Sequence, residues 1–527
     1  MAPIKLNASA ATLTKNRTVD SVSPLSGLCS TCVDGCIGMC EVGRSALRAH
    51  EVIYPQPFGI ITTAGEKAYP VDLSHFNIMG TAVGAHGIEA DSDKAIFPNV
   101  NLETKIGRAF PGIKLKLPIV FGGMGSTNVA SNNWEGLAAG AAISGVGLTV
   151  GENVCGMDPE TTISRGKVTD SPELARRVKL FRQWQRGGYG AVIVQANVED
   201  TRLGVQEYAL QKLGVKAVEL KWGQGAKNIG GEVKIKSLKK AQMLKDRGYV
   251  VLPDPHDKGV IQAFEKGSFT EFERHSRVGM VTEEGFMERV DQLRKAGARY
   301  VTLKTGAYRP ADLARAVKFS SKAKIDMLTV DAAGGGTGMS PWKMMNEWGM
   351  PPVELFSLLY QYCDTLAKKG EYVPPIAVAS GFVFEDQIFK GLAFGAPYFK
   401  IITMARAPLT AAMVGKTIGN KIASGKAPVF VERFGNSVEE IFVEAHSLKE
   451  QYGKDFAKLP TGAIGVYSYL QRCAQGMRQL MCGARKFSLE HITRDDLCAL
   501  TEEAARISGI EYVSNVDREL AEEIIEG

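Results

Sequence analysis

No stretch of this sequence stays apolar for the roughly 18 residues that a membrane-spanning helix needs. The first 28 residues, MAPIKLNASAATLTKNRTVDSVSPLSGL, also lack the continuous apolar centre of a secretory signal. They hold no acidic residue before Asp20, a slight transit-peptide character, and read as a flexible lead. Surplus charge of one sign is scarce. Lys and Arg number 63 against 57 Asp and Glu, and the net +6 is spread along 527 residues, too dilute for a nucleic-acid partner. The basic runs KIKSLKK (234–240) and LARRVKLFRQWQR (174–186) read as solvated helix faces. Internal repeats and low-complexity tracts are absent. These absences exclude membrane and nucleic-acid classes and lead to the expectation of a soluble, cytoplasmic protein.

The length suits one large domain with additions, or two to three domains. From Ile119 onward, short apolar runs alternate with amphipathic segments such as FMERVDQLRKAG. The runs are PIVFGGM (118–124), GLTVGEN (147–153), AVIVQAN (191–197), AVELKWGQG (217–225), RYVTLKTG (299–306), IDMLTVDAAGGG (325–336), PIAVASG (375–381) and YFKIITMA (398–405). Strands separated by helices imply a parallel sheet, and eight of them imply a closed (β/α)8 barrel. A ninth run, GYVVLPDP (248–255), carries Pro253 and Pro255, which argue against a central strand, so it belongs to an insertion after the fourth. The expected organisation is a lead (1–28), a cysteine-bearing region (29–100), the α/β barrel (101–430) and a helical carboxyl-terminal extension (431–527).

Nearly every run ends in glycine or a polar residue, in FGGMGS, VGENVCG, VQAN, LKWGQGAK, LKTG, DAAGGGTG, ASG and TMARAP. That is the rim where barrel enzymes carry their active sites. The last two loops, with Ser380, Gly381, Ala405 and Arg406, occupy the place where such barrels bind phosphate, and small residues there let backbone N–H groups approach it. Of nine cysteines, four fall within CSTCVDGCIGMC: Cys29, Cys32, Cys36 and Cys40. Four thiolates at this spacing suit an iron–sulfur cluster, most simply [4Fe–4S]. Structural zinc is the rival, although its CxxC pairs usually stand further apart.

The motifs GGMGS (122–126), GQGAK (223–227), VTLKTG (301–306) and GGTGMSP (335–341) resemble, in order and spacing, those of the flavin domain of glutamate synthase. The resemblance covers about residues 115–415, and with its cysteine-rich lead and helical tail the whole chain resembles the short archaeal-type form. It implies FMN, with Gly123, Met124, Gly125, Ser126, Gln195, Gly335, Gly336, Thr337, Ser380, Gly381, Ala405 and Arg406 around it. Lys304 is implied to act catalytically beside the ring. The implied reaction makes L-glutamate from 2-oxoglutarate and ammonia by hydride transfer to 2-iminoglutarate. Lys221, Gln224, Lys227 and His256 are implied to bind substrate, with Lys221 and Glu152 also catalytic. His256, in PDPHD, matches only one histidine of the family's PPPHHD.

Three departures qualify the resemblance. The large bacterial enzyme opens with a glutaminase domain, whereas here about 100 residues precede the barrel, so a separate glutaminase subunit or free ammonia is expected. The family's cysteines after the eighth strand are missing, and the Cys29–Cys40 cluster would take their place. No second dinucleotide fold is evident, so a separate electron donor, an NAD(P)H oxidoreductase or ferredoxin, is expected, with an oligomeric assembly. The rival readings are an N-methylglutamate synthase-type subunit using methylamine, a non-redox FMN barrel, and a binding module without chemistry.

Overall fold

Runs of Val, Ile, Leu and Ala that are apolar on both faces make strands that are buried on both faces. The computed structural model describes residues 35–36, 40–49, 69–109, 111–225, 232–335 and 348–527. Each of the eight runs forms a strand: β1 (Ile119–Met124), β2 (Gly147–Val150), β3 (Ala191–Ala196), β4 (Ala217–Lys221), β5 (Tyr300–Thr305), β6 (Met327–Asp331), β7 (Ile376–Ala379) and β8 (Phe399–Met404). They pair in parallel in chain order and close, Ile402 of β8 lying opposite Ile119 of β1. The fold is a closed (β/α)8 barrel, as the sequence predicts.

The barrel interior changes character along its axis, because side chains two residues apart share a face. At the floor Val120, Ile193, Ala217, Tyr300, Met327, Ala377 and Ile401 form an apolar layer. Ile106, Ile113 and Leu115 plug it from below, on an antiparallel ladder of Thr104–Ile106 with Ile113–Leu115. One step up, the interior turns polar at Gln195, Glu219, Thr302 and Thr329. One step further stand Lys221, Lys304 and Asp331. Register enforces these layers: Gln195 and Thr302 both lie opposite Glu219, and Lys304 lies opposite Lys221.

GYVVLPDP belongs to an insertion after β4, where Val250–Leu252 and Glu232–Ile235 flank Phe272–His275 in a three-stranded antiparallel sheet. Outside the barrel, α1 (Glu41–Arg48), α2 (Asn128–Ser144), α4 (Arg406–Ala423) and the long α5 (Thr461–Gly483) pack together, and α3 (Pro172–Trp184) packs on α2. Beyond α5, Leu497–Ala499 pairs with Phe76–Ile78. The basic runs need correction. In α3, Leu174, Arg177, Val178, Phe181 and Trp184 are buried, so that helix has one solvated face and one core face. KIKSLKK straddles the end of a strand and the start of the helix Leu238–Asp246.

The joint between α4 and α5 depends on glycines. A Cβ on Gly415 would lie 2.5 Å from the Thr461 carbonyl oxygen, and one on Gly465 would lie 2.6 Å from that of Ala411. Backbone cannot swing aside. Gly415→Ala and Gly465→Ala should therefore destabilise the protein by about 1–3 kcal/mol despite alanine's better helix propensity. Gly483→Ala, where a Cβ meets nothing within 4 Å, should leave stability unchanged or slightly raised. Thermal and denaturant unfolding of the three variants measure the contrast.

Candidate active site

The rim begins with close backbone contact. A Cβ on Gly125 would run into the Glu152 carbonyl, and one on Gly151 would lie 2.6 Å from the Gly125 nitrogen. The loops after β1 and β2 are thus pressed together, tied by Gly151 N–H donating to the Met124 carbonyl at 2.9 Å. Arg177, buried on α3, braces the first loop from beneath, donating to the carbonyls of Gly125 at 2.8 Å and Met124 at 3.3 Å. Its guanidinium lies 4.5 Å from the Trp134 ring centre. Burial works against the ionisation of Glu173, but Arg176 and Arg177 hold its carboxyl down to about 2.

Two buried cations sit side by side on β4 and β5, each with its own carboxylate. Lys221 donates to Glu152 and, at 2.6 Å, to Gln224 Oε1. Lys304 Nζ lies 3.0 Å from Asp331 Oδ2. Burial disfavours the Lys304 ammonium, but Asp331 and Glu219 outweigh it and raise its pKa above the ordinary lysine value. Between and below them lies Glu219. Its Oε1 accepts from Gln195 Nε2 at 2.6 Å, and its Oε2 faces the hydroxyls of Thr302 at 3.2 Å and Thr329 at 3.5 Å. Burial pushes the Glu219 carboxyl up, against the pull of Lys304 and of these donors.

The glycine loop after β6 closes over β4. A Cβ on Gly225 would lie 2.9 Å from the Gly335 carbonyl oxygen, and one on Gly335 would lie 2.5 Å from Asp331 Oδ1. Ser380 holds φ at +128°, where a side chain is strained, and its Oγ donates to the Ala333 carbonyl at 2.8 Å, linking the loops after β6 and β7. Gly381 follows with φ +75° and open space where a Cβ would stand. Next round the barrel, α4 begins at Arg406 behind Ala405 and carries no side-chain cap.

The structure therefore brings Glu152, Lys221 and Gln224 together, sets Lys304 beside Lys221, and puts the β1, β6, β7 and β8 loops at the same rim. His256 stands apart. It is exposed on the insertion, its Nε2 2.8 Å from Asp246 Oδ1, with no described bond to a rim side chain. Lys227, Gly336, Thr337, Cys29 and Cys32 lie outside the described residues. Of the other two cysteines, Cys40 is buried at the start of α1, and the Cys36 backbone N–H donates to Thr417 Oγ1 of α4 at 3.3 Å. Among the described residues no cluster of three metal-ligating side chains occurs, and no helix is long and apolar enough to cross a membrane.

Residue types alone did not single out Glu219, Asp331, Arg177 or Asp200. Asp200 is fully buried behind the Glu152 loop, where Oδ2 accepts the Asn153 N–H at 2.8 Å and fixes that residue at φ +65°. Burial pushes its carboxyl up to about 7, opposed by the backbone bond from Asn153. Arg274 of the insertion reaches the same loop, its guanidinium 3.4 Å from Asn153 Oδ1. The one available signal, charge at a strand end before a glycine loop, applies to Asp331 alone. Burial pushes the thiol of Cys155, on the same loop as Asn153, up to about 12, which disfavours its thiolate.

No curated protein sequence matches the chain. The flavin-binding domain of baker's yeast flavocytochrome b2 is similar in structure, with TM-score 0.45 and 12% identity over 86% of this chain and 82% of that one. A mandelate oxidase gives TM-score 0.43 and 12% identity over 80% and 86%. The profile of the family described as the conserved region in glutamate synthase matches residues 75–243 and 274–427, more than half the chain and all eight barrel strands. The chain belongs to the glutamate synthase conserved-region family.

Proposed function

We propose that this protein is the synthase subunit of a glutamate synthase, an FMN-dependent oxidoreductase that converts 2-oxoglutarate and ammonia to L-glutamate. Family membership supports a flavin-dependent oxidoreductase. The observation that carries the finer reading is the rim itself: Lys221 held between Glu152 and Gln224, beside the Lys304–Asp331 pair. A dicarboxylate needs fixed cations and amides, and the imine formed from it needs a group that exchanges protons with nitrogen. Lys221 and Gln224 supply the first, with Lys227 beside them in sequence, and Glu152 supplies the second.

The residues present fit FMN. Gln195 carries a buried carbonyl oxygen with no partner among the described residues, turned to the Gly123 backbone. Open space at Gly381 and the uncapped start of α4 suit a phosphate, whose charge the helix terminus favours. When bound, FMN supplies the hydride that reduces the imine carbon. Lys304 would hold positive charge beside the reduced ring, and the pressed loops after β1 and β2 would keep water from the ring face. The four-thiolate set Cys29, Cys32, Cys36 and Cys40 would hold a [4Fe–4S] cluster that takes electrons from a separate donor subunit, and ammonia would come from a separate glutaminase or from solution.

Anaerobic purification should yield one FMN and four irons per chain. The protein should form glutamate from 2-oxoglutarate and ammonium in the presence of a reductant. Zinc in place of iron would remove the cluster assignment, and N-methylglutamate from methylamine with no glutamate from ammonium would move the protein to the amine-using rival. Gly381→Val should strip FMN, because a β-branched residue is strained at that φ and fills the open space; unchanged flavin content would refute the phosphate assignment.

The two lysines should separate by role. Lys221→Met should weaken 2-oxoglutarate binding about 10- to 150-fold, the loss of one charge-assisted contact, with little change in the flavin spectrum. Lys304→Met should lower the flavin reduction potential and slow reduction of substrate at saturation. Titration of the flavin spectrum with 2-oxoglutarate, and redox titration, measure the two effects.

A further inference from the structure

Glu219 is the carboxylate for which the proposed reaction has no use. It lies one layer below the rim and is almost wholly inaccessible. An acid in the middle of an apolar barrel is costly unless every oxygen is partnered, and here both are. Oε2 faces the hydroxyls of Thr302 and Thr329, and Oε1 takes Gln195 Nε2 at 2.6 Å.

That last contact decides the geometry of Gln195. An amide presents a donor at one end and an acceptor at the other, and only the donor end is stable against a carboxylate oxygen. With Nε2 held by Glu219, Oε1 is forced to the other side. There it lies buried, without a partner among the described residues, against Gly123, where any Cβ would come within 2.7 Å of it. A buried acceptor left unmatched is destabilising, and a ligand N–H placed there satisfies it. Of the flavin ring atoms, one nitrogen, N3, carries a hydrogen in both redox states and can serve as that donor.

We propose that Glu219 is a positioning residue for the cofactor: by holding the Gln195 amide with its nitrogen turned into the barrel, it presents the amide oxygen as the acceptor for the flavin N3–H. The inference rests on the FMN reading. Its carboxylate also shares the interior with Lys304, so the same group partly balances the positive charge offered to the ring.

The test uses FMN and 3-methyl-FMN, which lacks the N3 hydrogen, titrated by fluorescence into flavin-free protein. The wild type should bind FMN at least about 10-fold more tightly than the methylated flavin, the value of one hydrogen bond. In Gln195→Ala the preference should fall to near unity. Glu219→Gln, which no longer dictates the amide's orientation, should lose most of the preference, and adding it to Gln195→Ala should change nothing further. Glu219→Asp keeps the charge but withdraws the carboxylate by one methylene, so it should lose the preference while leaving the flavin potential near the wild-type value; Glu219→Gln should raise that potential. Thr302→Val disturbs the same layer without touching Gln195 and should keep the preference. Equal affinity of the wild type for both flavins would overturn the proposal without any variant. So would a wild-type preference in both Glu219 variants, or an equal loss in Thr302→Val. Failure of the wild type to take up FMN at all would instead overturn the flavin reading, and this inference with it.

Discussion

Charge inside a barrel must be paired within the barrel, and the rim here is organised around that requirement. Lys304 and Lys221 lie side by side across the β4–β5 register, two ammonium groups that would repel each other if left alone. Asp331 at 3.0 Å partners the first and Glu152 the second. Each carboxylate sits at the start of a loop, so pairing the lysines also fixes where the loops after β2 and β6 begin. The glycines then follow of necessity. Loops drawn to neighbouring charges come within backbone contact, and no side chain fits at Gly125, Gly151 or Gly225.

A second tier supports the first from outside. Arg177 holds the loop after β1 by its carbonyls, and Asp200 holds the loop after β2 by the Asn153 N–H. Neither group lies on a barrel strand. The helix that follows β2 and the segment after β3 therefore set positions at the rim, and Arg274 links the insertion to the same loop. In this arrangement a substitution on α3 is felt at the rim through two hydrogen bonds and no intervening side chain.

How much of this was legible in the sequence depended on whether the signal was local. The eight strands were, because a strand buried on both faces is an unbroken apolar run, and Pro253 and Pro255 marked the insertion. Lys221, Gln224 and Lys304 were legible as polar residues at strand ends. Glu219 was not: inside AVELK it reads as one polar residue in an apolar run, and only the register with Gln195 and Thr302 reveals three strands converging on it. Arg177 was misread for a related reason. A basic helix shows its charge in sequence, but which of Arg176 and Arg177 is buried depends on the angle at which α3 meets α2. His256 matched a motif, yet its partner is Asp246 on the insertion surface.

The strand pair Phe76–Ile78 with Leu497–Ala499 has a consequence in time. Phe76 is fully buried and meets Phe394 edge-on at 5.5 Å, and its strand pairs with Leu497–Ala499, so residues 76–78 complete their surroundings only with residues made much later. At ~5–20 residues per second, the ribosome leaves residues 76–78 without their partner strand for on the order of half a minute or more. The barrel can assemble strand by strand as it emerges, but this seam cannot. The nascent chain thus carries residues 76–78 as an unpaired strand until residues 497–499 have emerged to cover it.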